Sequence, residues 1–202
     1  MSLFHKLSAD EKAQKPVLLI RQPGIVRDVF STLLTLLIMI GFAYGFLTYI
    51  GQRVAVEGSS MEDTLHDRDQ LVVDCFTYRI LKTPKRFDIV VFRLKDAADT
   101  FYVKRLIGLP GETVMIHDSV IYINGDPIDD PYATQKQFPP GSAQVPVTLG
   151  EDEFFVMGDN RINSIDSRYT VGVVKRSQLV GRAILRVWPF RNYTDLRIGE
   201  GS

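Results

Sequence analysis

The chain is poor in the residues that most often run hydrolytic or metal chemistry. Its 202 residues include one cysteine, Cys75, so no intramolecular disulfide can form and a disulfide-stapled exterior domain is excluded. It has only three histidines, His5, His66 and His117. The acidic clusters Asp129-Asp130 and Glu151-Asp152-Glu153 lack histidine partners and calcium-loop spacing, and read as solvated loops, so no metal or cofactor is implied. The formal net charge is zero, and Lys and Arg are spread without a basic stripe, which leaves no footprint for nucleic acid. There is no internal repeat, and helical periodicity is nearly absent outside one segment.

That segment, Val29 to Ile50, carries no charged residue. As a helix it rises about 33 Å, enough for a hydrocarbon core of ~30 Å. Tyr44 and Tyr49 toward its far end suit a membrane interface. A buried core helix of this length would show a polar face, and a cleaved signal peptide would have a shorter apolar region with a small-residue cleavage site. A retained single-pass anchor is expected. Lys6, Lys12, Lys15, Arg21 and Arg27 precede it, which places residues 1–28 as a cytoplasmic tail and residues 51–202 outside.

Beyond Gly51 the pattern is one of short strands. Gln70–Cys75 and Phe87–Arg93 are rich in β-branched residues, Thr113–Ile123 alternates in part before a turn at Asn124-Gly125, and Phe154–Met157 and Ala183–Trp188 follow. These predict a mainly β, antiparallel domain of about 150 residues. The stretch Asp129 to Gly150, rich in proline and polar residues, reads as a surface loop.

Three blocks carry chemistry: Val56-Glu57-Gly58-Ser59-Ser60-Met61-Glu62-Asp63-Thr64-Leu65, then Phe101-Tyr102-Val103-Lys104-Arg105-Leu106-Ile107-Gly108, then Gly158-Asp159-Asn160-Arg161-Ile162-Asn163-Ser164-Ile165-Asp166-Ser167-Arg168. A serine hydroxyl needs a neighbouring base to become a nucleophile. His66 and His117 have no supporting flanking pattern and read as solvated loop residues, and His5 falls on the tail. Lysine can serve instead if burial lowers its pKa from about 10.4. In a strand, Lys104 shares a face with Tyr102 and Leu106, an apolar setting.

In order, behind one apolar span, the three blocks resemble the boxes of the bacterial type I signal peptidases, in the small single-domain form. The resemblance runs from the span to Trp188-Pro189-Phe190. It implies a membrane-bound serine endopeptidase with a Ser-Lys dyad and no cofactor. Serine before Met61 is the family's nucleophile, which selects Ser60 over Ser59, and Lys104 is then the base. The Ser60 backbone N–H is implied as oxyanion donor; a side-chain donor used by some members is missing, since Gly58 stands there. Ser164 is implied to orient the lysine, Asp166 and Arg168 to form a supporting ion pair, and Asp159 to pair with Arg105. Asp63 stands where the family has proline, and Ile162 where aspartate is common. The implied partners are signal peptides of exported preproteins, the lipid bilayer and, by proximity, the secretion translocon. Two alternatives stay open: a specialised relative dedicated to surface-structure (pilus) assembly, catalytic or not, and a repressor-type Ser-Lys autoprotease. The apolar span and the lack of a helix-turn-helix pattern argue against the second.

Overall fold

The structure, a computed structural model, describes residues 24–50, 52–62, 64–76, 83–95, 97–189 and 194–196. Residues 1–23 with His5, and Asp63, lie outside the described residues. By packing, the chain divides into Met1–Phe42 and Ala43–Ser202.

Helix α1 runs Ile25–Ile50, beginning four residues before the uncharged run. The Gly24 carbonyl accepts the N–H groups of Arg27 and Asp28, and the Asp28 carboxylate in the first turn complements the helix dipole. The hydroxyls of its first turns bond within the helix: Ser31 and Thr32 donate to the Asp28 carbonyl and Thr35 to that of Ser31. It is the one helix among the described residues long and apolar enough to cross a membrane, and its large apolar side chains from Ile25 to Tyr44 are exposed.

The β unit is mainly antiparallel, as its sequence predicts. Its strands are β1 (Gln52–Ala55), β2 (Gln70–Asp74), β3 (Ile89–Leu94), β4 (Ala97–Gly108), β5 (Thr113–His117), β6 (Val120–Ile123), β7 (Asp126–Pro127), β8 (Val147–Thr148), β9 (Glu153–Met157), β10 (Val174–Lys175), β11 (Leu179–Trp188) and β12 (Thr194–Asp195). The larger sheet has the order β1-β2-β11-β3-β4-β9-β10, with β12 on β11; the smaller is β7-β6-β5-β8. Ile89 to Phe92 are all buried, because β3 is covered on both faces. On one face Val90, Phe92, Leu106, Phe154 and Val156 pack together; on the other, Ile89, Val91 and Val103 join a core with Val54, Met61, Leu65 and Leu71. A third cluster joins Ile107, Phe155 and Met157 to the small sheet through Val114, Ile116, Ile121 and Ile123. Gly108 is where the sheets approach: a Cβ there would sit 2.6 Å from Val114 and 2.9 Å from Phe155.

One expectation is corrected here and another refined. Thr113–Ile123 is a hairpin, β5 and β6, turned at Asp118-Ser119. Both turn residues have positive φ, 50° and 64°, without glycine, so the sequence shows no break. Asp129–Gly150 is a largely exposed, irregular segment, as its composition predicts, but it is not featureless. It contains β8 and a 3₁₀ turn at Gly141–Gln144, buries Phe138, Ala143 and Leu149, and ion-pairs Asp130 with the buried Arg161.

Candidate active site

Ser60 lies on the excursion between β1 and β2. Its base is closed by paired backbone bonds, Val56 N–H to Asp69 and Arg68 N–H to Val56. Inside it Gly58, at φ 87°, donates its N–H to Asp67 Oδ1, and Leu65 N–H bonds Met61 to form one helical turn. Met61 and Leu65 are 1% and 0% exposed and fasten this turn into the core. Ser60 is thereby presented on a short turn held at both ends. Its backbone N–H donates no hydrogen bond among the described residues.

Lys104 comes from the middle of β4, opposite Val90 on β3. It is 5% exposed, and its Nζ lies 2.7 Å from Ser60 Oγ and 3.2 Å from the Val103 carbonyl. Burial pulls its pKa down to about 8, against the upward pull of Asp166 and Asp159. The pull of each carboxylate is countered by its own arginine. Asp159 takes a two-pronged bond from Arg105, Nε at 2.7 Å and Nη2 at 2.6 Å. Asp166 takes the same from Arg168, at 2.9 and 2.8 Å. All four side chains are at most 1% exposed. With both charges matched, desolvation is left as the dominant influence on the lysine.

The third block docks on the Ser60 turn. Asn160 donates its N–H to the Ser60 carbonyl and its side-chain amide to the Ser59 carbonyl, each at 3.2 Å. Asn163 donates to Ser59 Oγ at 2.7 Å. This approach requires Gly158, where a Cβ would strike Ser164 Oγ and the Ser60 carbonyl. Ser164 is therefore beside Ser60, but its buried Oγ makes no hydrogen bond, so the structure does not join it to Lys104. Ile162, at the departure from the family box, is exposed. A groove of about 210 Å³ opens at the pair, lined by Val56, Glu57, Met61 and Thr100–Val103 with Ser60 and Lys104.

The histidines stand apart. His66 and His117 are exposed, and each has a neighbouring carboxylate, Asp69 and Asp118 respectively, with no bond to Ser60. Among the described residues no cluster suited to a metal occurs.

Several residues escaped the sequence reading. Thr64 Oγ1 donates to Asp159 Oδ2, so the Ser60 turn touches the Arg105 pair directly. Its signal was its place in the first block. Tyr132 covers the Arg105 guanidinium at 3.6 Å, and Gln135 bonds Asn160 and the Arg161 N–H. Nothing in the composition around those two gives a sign of it.

Comparison with known proteins gives the family. Residues 29–188 match the family model described as signal peptidase, peptidase S26. A probable signal peptidase I-2 of Synechocystis is 40% identical over 80% of this chain and 73% of that protein. A signal peptidase I of Bacillus licheniformis is 36% identical over 81% and 90%. A crystal structure of a signal peptidase I from Enterococcus faecalis is 36% identical, covers 50% of this chain and 97% of that one, and has a TM-score of 0.44. The chain belongs to the signal peptidase, peptidase S26, family and is a hydrolase that cleaves signal peptides.

Proposed function

We propose that the chain is a membrane-anchored serine endopeptidase in which Ser60 and Lys104 form the catalytic dyad. The observation that carries this reading is the 2.7 Å contact between Lys104 Nζ and Ser60 Oγ, made by a buried lysine with a lowered pKa. Neutral Lys104 takes the hydroxyl proton as Ser60 attacks the scissile carbonyl. It returns that proton to the leaving amine, and water then hydrolyses the acyl-enzyme. The Ser60 N–H, free of any other bond among the described residues, stabilises the developing oxyanion. Ser164, with its hydroxyl unengaged beside Ser60, supplies a bond to the lysine as its charge changes. The substrates are preproteins, whose signal peptides occupy the groove at Thr100–Val103. That the named relatives are signal peptidases I favours this over a surface-structure specialist.

Helix α1 anchors the enzyme: its large apolar side chains from Ile25 to Tyr44 are exposed to the surroundings, and Ser31, Thr32 and Thr35 bond their hydroxyls internally, as a bilayer demands. The basic residues before it favour a cytoplasmic N-terminus, which leaves the β unit outside, near the translocon. Ten residues from Gly51 to Ser60 reach at most about 36 Å, which keeps the nucleophile near the bilayer surface where signal-peptide cleavage sites emerge.

The test is cleavage of a standard preprotein by purified wild type and Ser60→Ala. Wild type cleaves after small side chains, and Ser60→Ala leaves the precursor intact. Cleavage by Ser60→Ala at the wild-type rate removes the mechanism. Protease added outside intact protoplasts should digest beyond Gly51; protection of the C-terminal part reverses the topology.

A further inference from the structure

We propose that the segment Asp130–Pro139 is a positioning strap, with Tyr132 as its decisive residue, that holds the Arg105–Asp159 pair closed beside Lys104. Its effect on rate rests on the dyad reading above; its effect on the lysine does not.

The strap touches Asp159, Asn160 and Arg161 in turn. The Thr134 hydroxyl bonds the Asp159 carbonyl at 3.4 Å, the Gln135 amide bonds Asn160 Oδ1 at 3.3 Å, and Gln135 Oε1 accepts the Arg161 N–H at 2.7 Å. Asp130 ion-pairs with Arg161, whose Nε bonds the Gly158 carbonyl. The Pro139 carbonyl accepts a bond from Arg168 Nη1 at 3.0 Å, so the strap reaches three arginines, Arg105, Arg161 and Arg168. On Arg105 its hold is by a ring face. The guanidinium directs its in-plane donors to Asp159, the Phe87 carbonyl and the Thr64 hydroxyl, and the Tyr132 ring covers it at 3.6 Å. Tyr132 is itself packed on Phe87, ring centroids 5.5 Å apart.

The consequence reaches Lys104 because Asp159 favours its charged form. While Arg105 is pinned, that pull is offset. Without the ring, water reaches the pair and Arg105 gains room to leave Asp159. Both changes favour the ammonium: Asp159 acts on it unopposed, and the pocket becomes a better solvent for charge. The other charged groups facing Lys104 do not depend on Tyr132. Asp166 keeps Arg168, Glu57 lines the groove, and the Arg182–Asp88 pair lies beyond Val90 on the neighbouring strands.

The experiment follows the Lys104 titration in the full chain in micelles, by NMR of lysine labelled at Cε. The signal is assigned by its loss in Lys104→Met. Tyr132→Ala should raise the midpoint by about half a pH unit or more, and Tyr132→Phe, which keeps the ring, should leave it in place. The alkaline shift should lower kcat/KM at neutral pH by about threefold, with recovery at higher pH, a pattern a simple loss of packing does not produce. Gln135→Ala, which unclasps the strap and leaves Tyr132, should shift the midpoint in the same direction. This variant decides the matter if Tyr132→Ala fails to fold. An unmoved midpoint in folded Tyr132→Ala, or in Gln135→Ala when the former does not fold, overturns the proposal. If the wild-type rate does not follow the Lys104 midpoint, the dyad reading fails, and the NMR comparison still decides the strap.

Discussion

At the scale of a residue, Lys104 trades stability for reactivity. Its pKa in the fold is about 8, against 10.5 for an unburied lysine. Between those values the unfolded chain holds a proton that the folded chain has lost, so stability rises with pH across that window. Below it, burying the ammonium costs on the order of 3 kcal/mol. Lys104→Met, similar in length and uncharged, should therefore raise the denaturation midpoint at pH 7. Its advantage should shrink as pH climbs through 8 toward 10.5, and denaturant titrations at several pH values will measure it. The same variant should be inactive. Lys104→Arg should be inactive too, since a guanidinium stays protonated and cannot accept the Ser60 proton. His66→Ala and His117→Ala should keep most activity, because both rings are exposed and unbonded to Ser60. Wild-type rate should rise through pH 8 as the free base forms. Full activity in Lys104→Met with loss in His66→Ala would transfer the base role to histidine.

At the scale of an element, the site is a contact between the turn after β1 and the turn after β9. Gly158 is the point of contact, and its missing side chain is what allows Asn160 to bond the Ser60 carbonyl. Gly158→Ala must push either the Ser60 turn or Ser164 away. It should cost about 1–3 kcal/mol in stability, as overpacking does. It should also cost more than tenfold in kcat, since small displacements of reacting groups are expensive. A steady-state assay with a thermal melt reads both, and an alanine variant with wild-type kcat would mean that the contact is idle. The same view explains what the sequence made legible. From the residues alone only an apolar setting for Lys104 could be read; the choice of Ser60 and the pairing of the two came from the family resemblance, and their side chains lie 2.7 Å apart. The Asp159–Arg105 and Asp166–Arg168 pairs, too, could be read only through that resemblance. The hairpin at Asp118-Ser119 was hidden because its turn uses no glycine. The strap was hidden for a different reason. Its composition is that of a loop, and what orders it are arginines, Arg105 and Arg161, distant in sequence and themselves buried. Local pattern carries no trace of such partners.

At the scale of the molecule, the larger sheet is threaded out of sequence order. Strand β11, the last long one, lies between β2 and β3, with Ala183 beside Val73 and Arg182 beside Val90. The nucleophile hangs from the β1–β2 side of that insertion and the lysine from the β3–β4 side. A chain made only through residue 178 holds every residue of the dyad and its supports, yet lacks the strand that joins their two halves. Such a chain, produced as a truncation and tested in micelles, should show no cleavage, while a chain ending after residue 196 should cleave. Equal activity in the two would show that the β3–β4 half recruits the nucleophile without help from β11.

The order of strands also acts as a clock. Pairings between distant segments form slowly, because the chain between them must be closed first. Ser59 and Asn163 meet across a separation of 104 residues, and β2 meets β11 across more than 100. A newly made molecule thus passes through a period in which Ser60 and Lys104 are both present but the turns and strands around them are not yet joined. Until that interval closes, the chain carries both residues of the proposed dyad without the site they form.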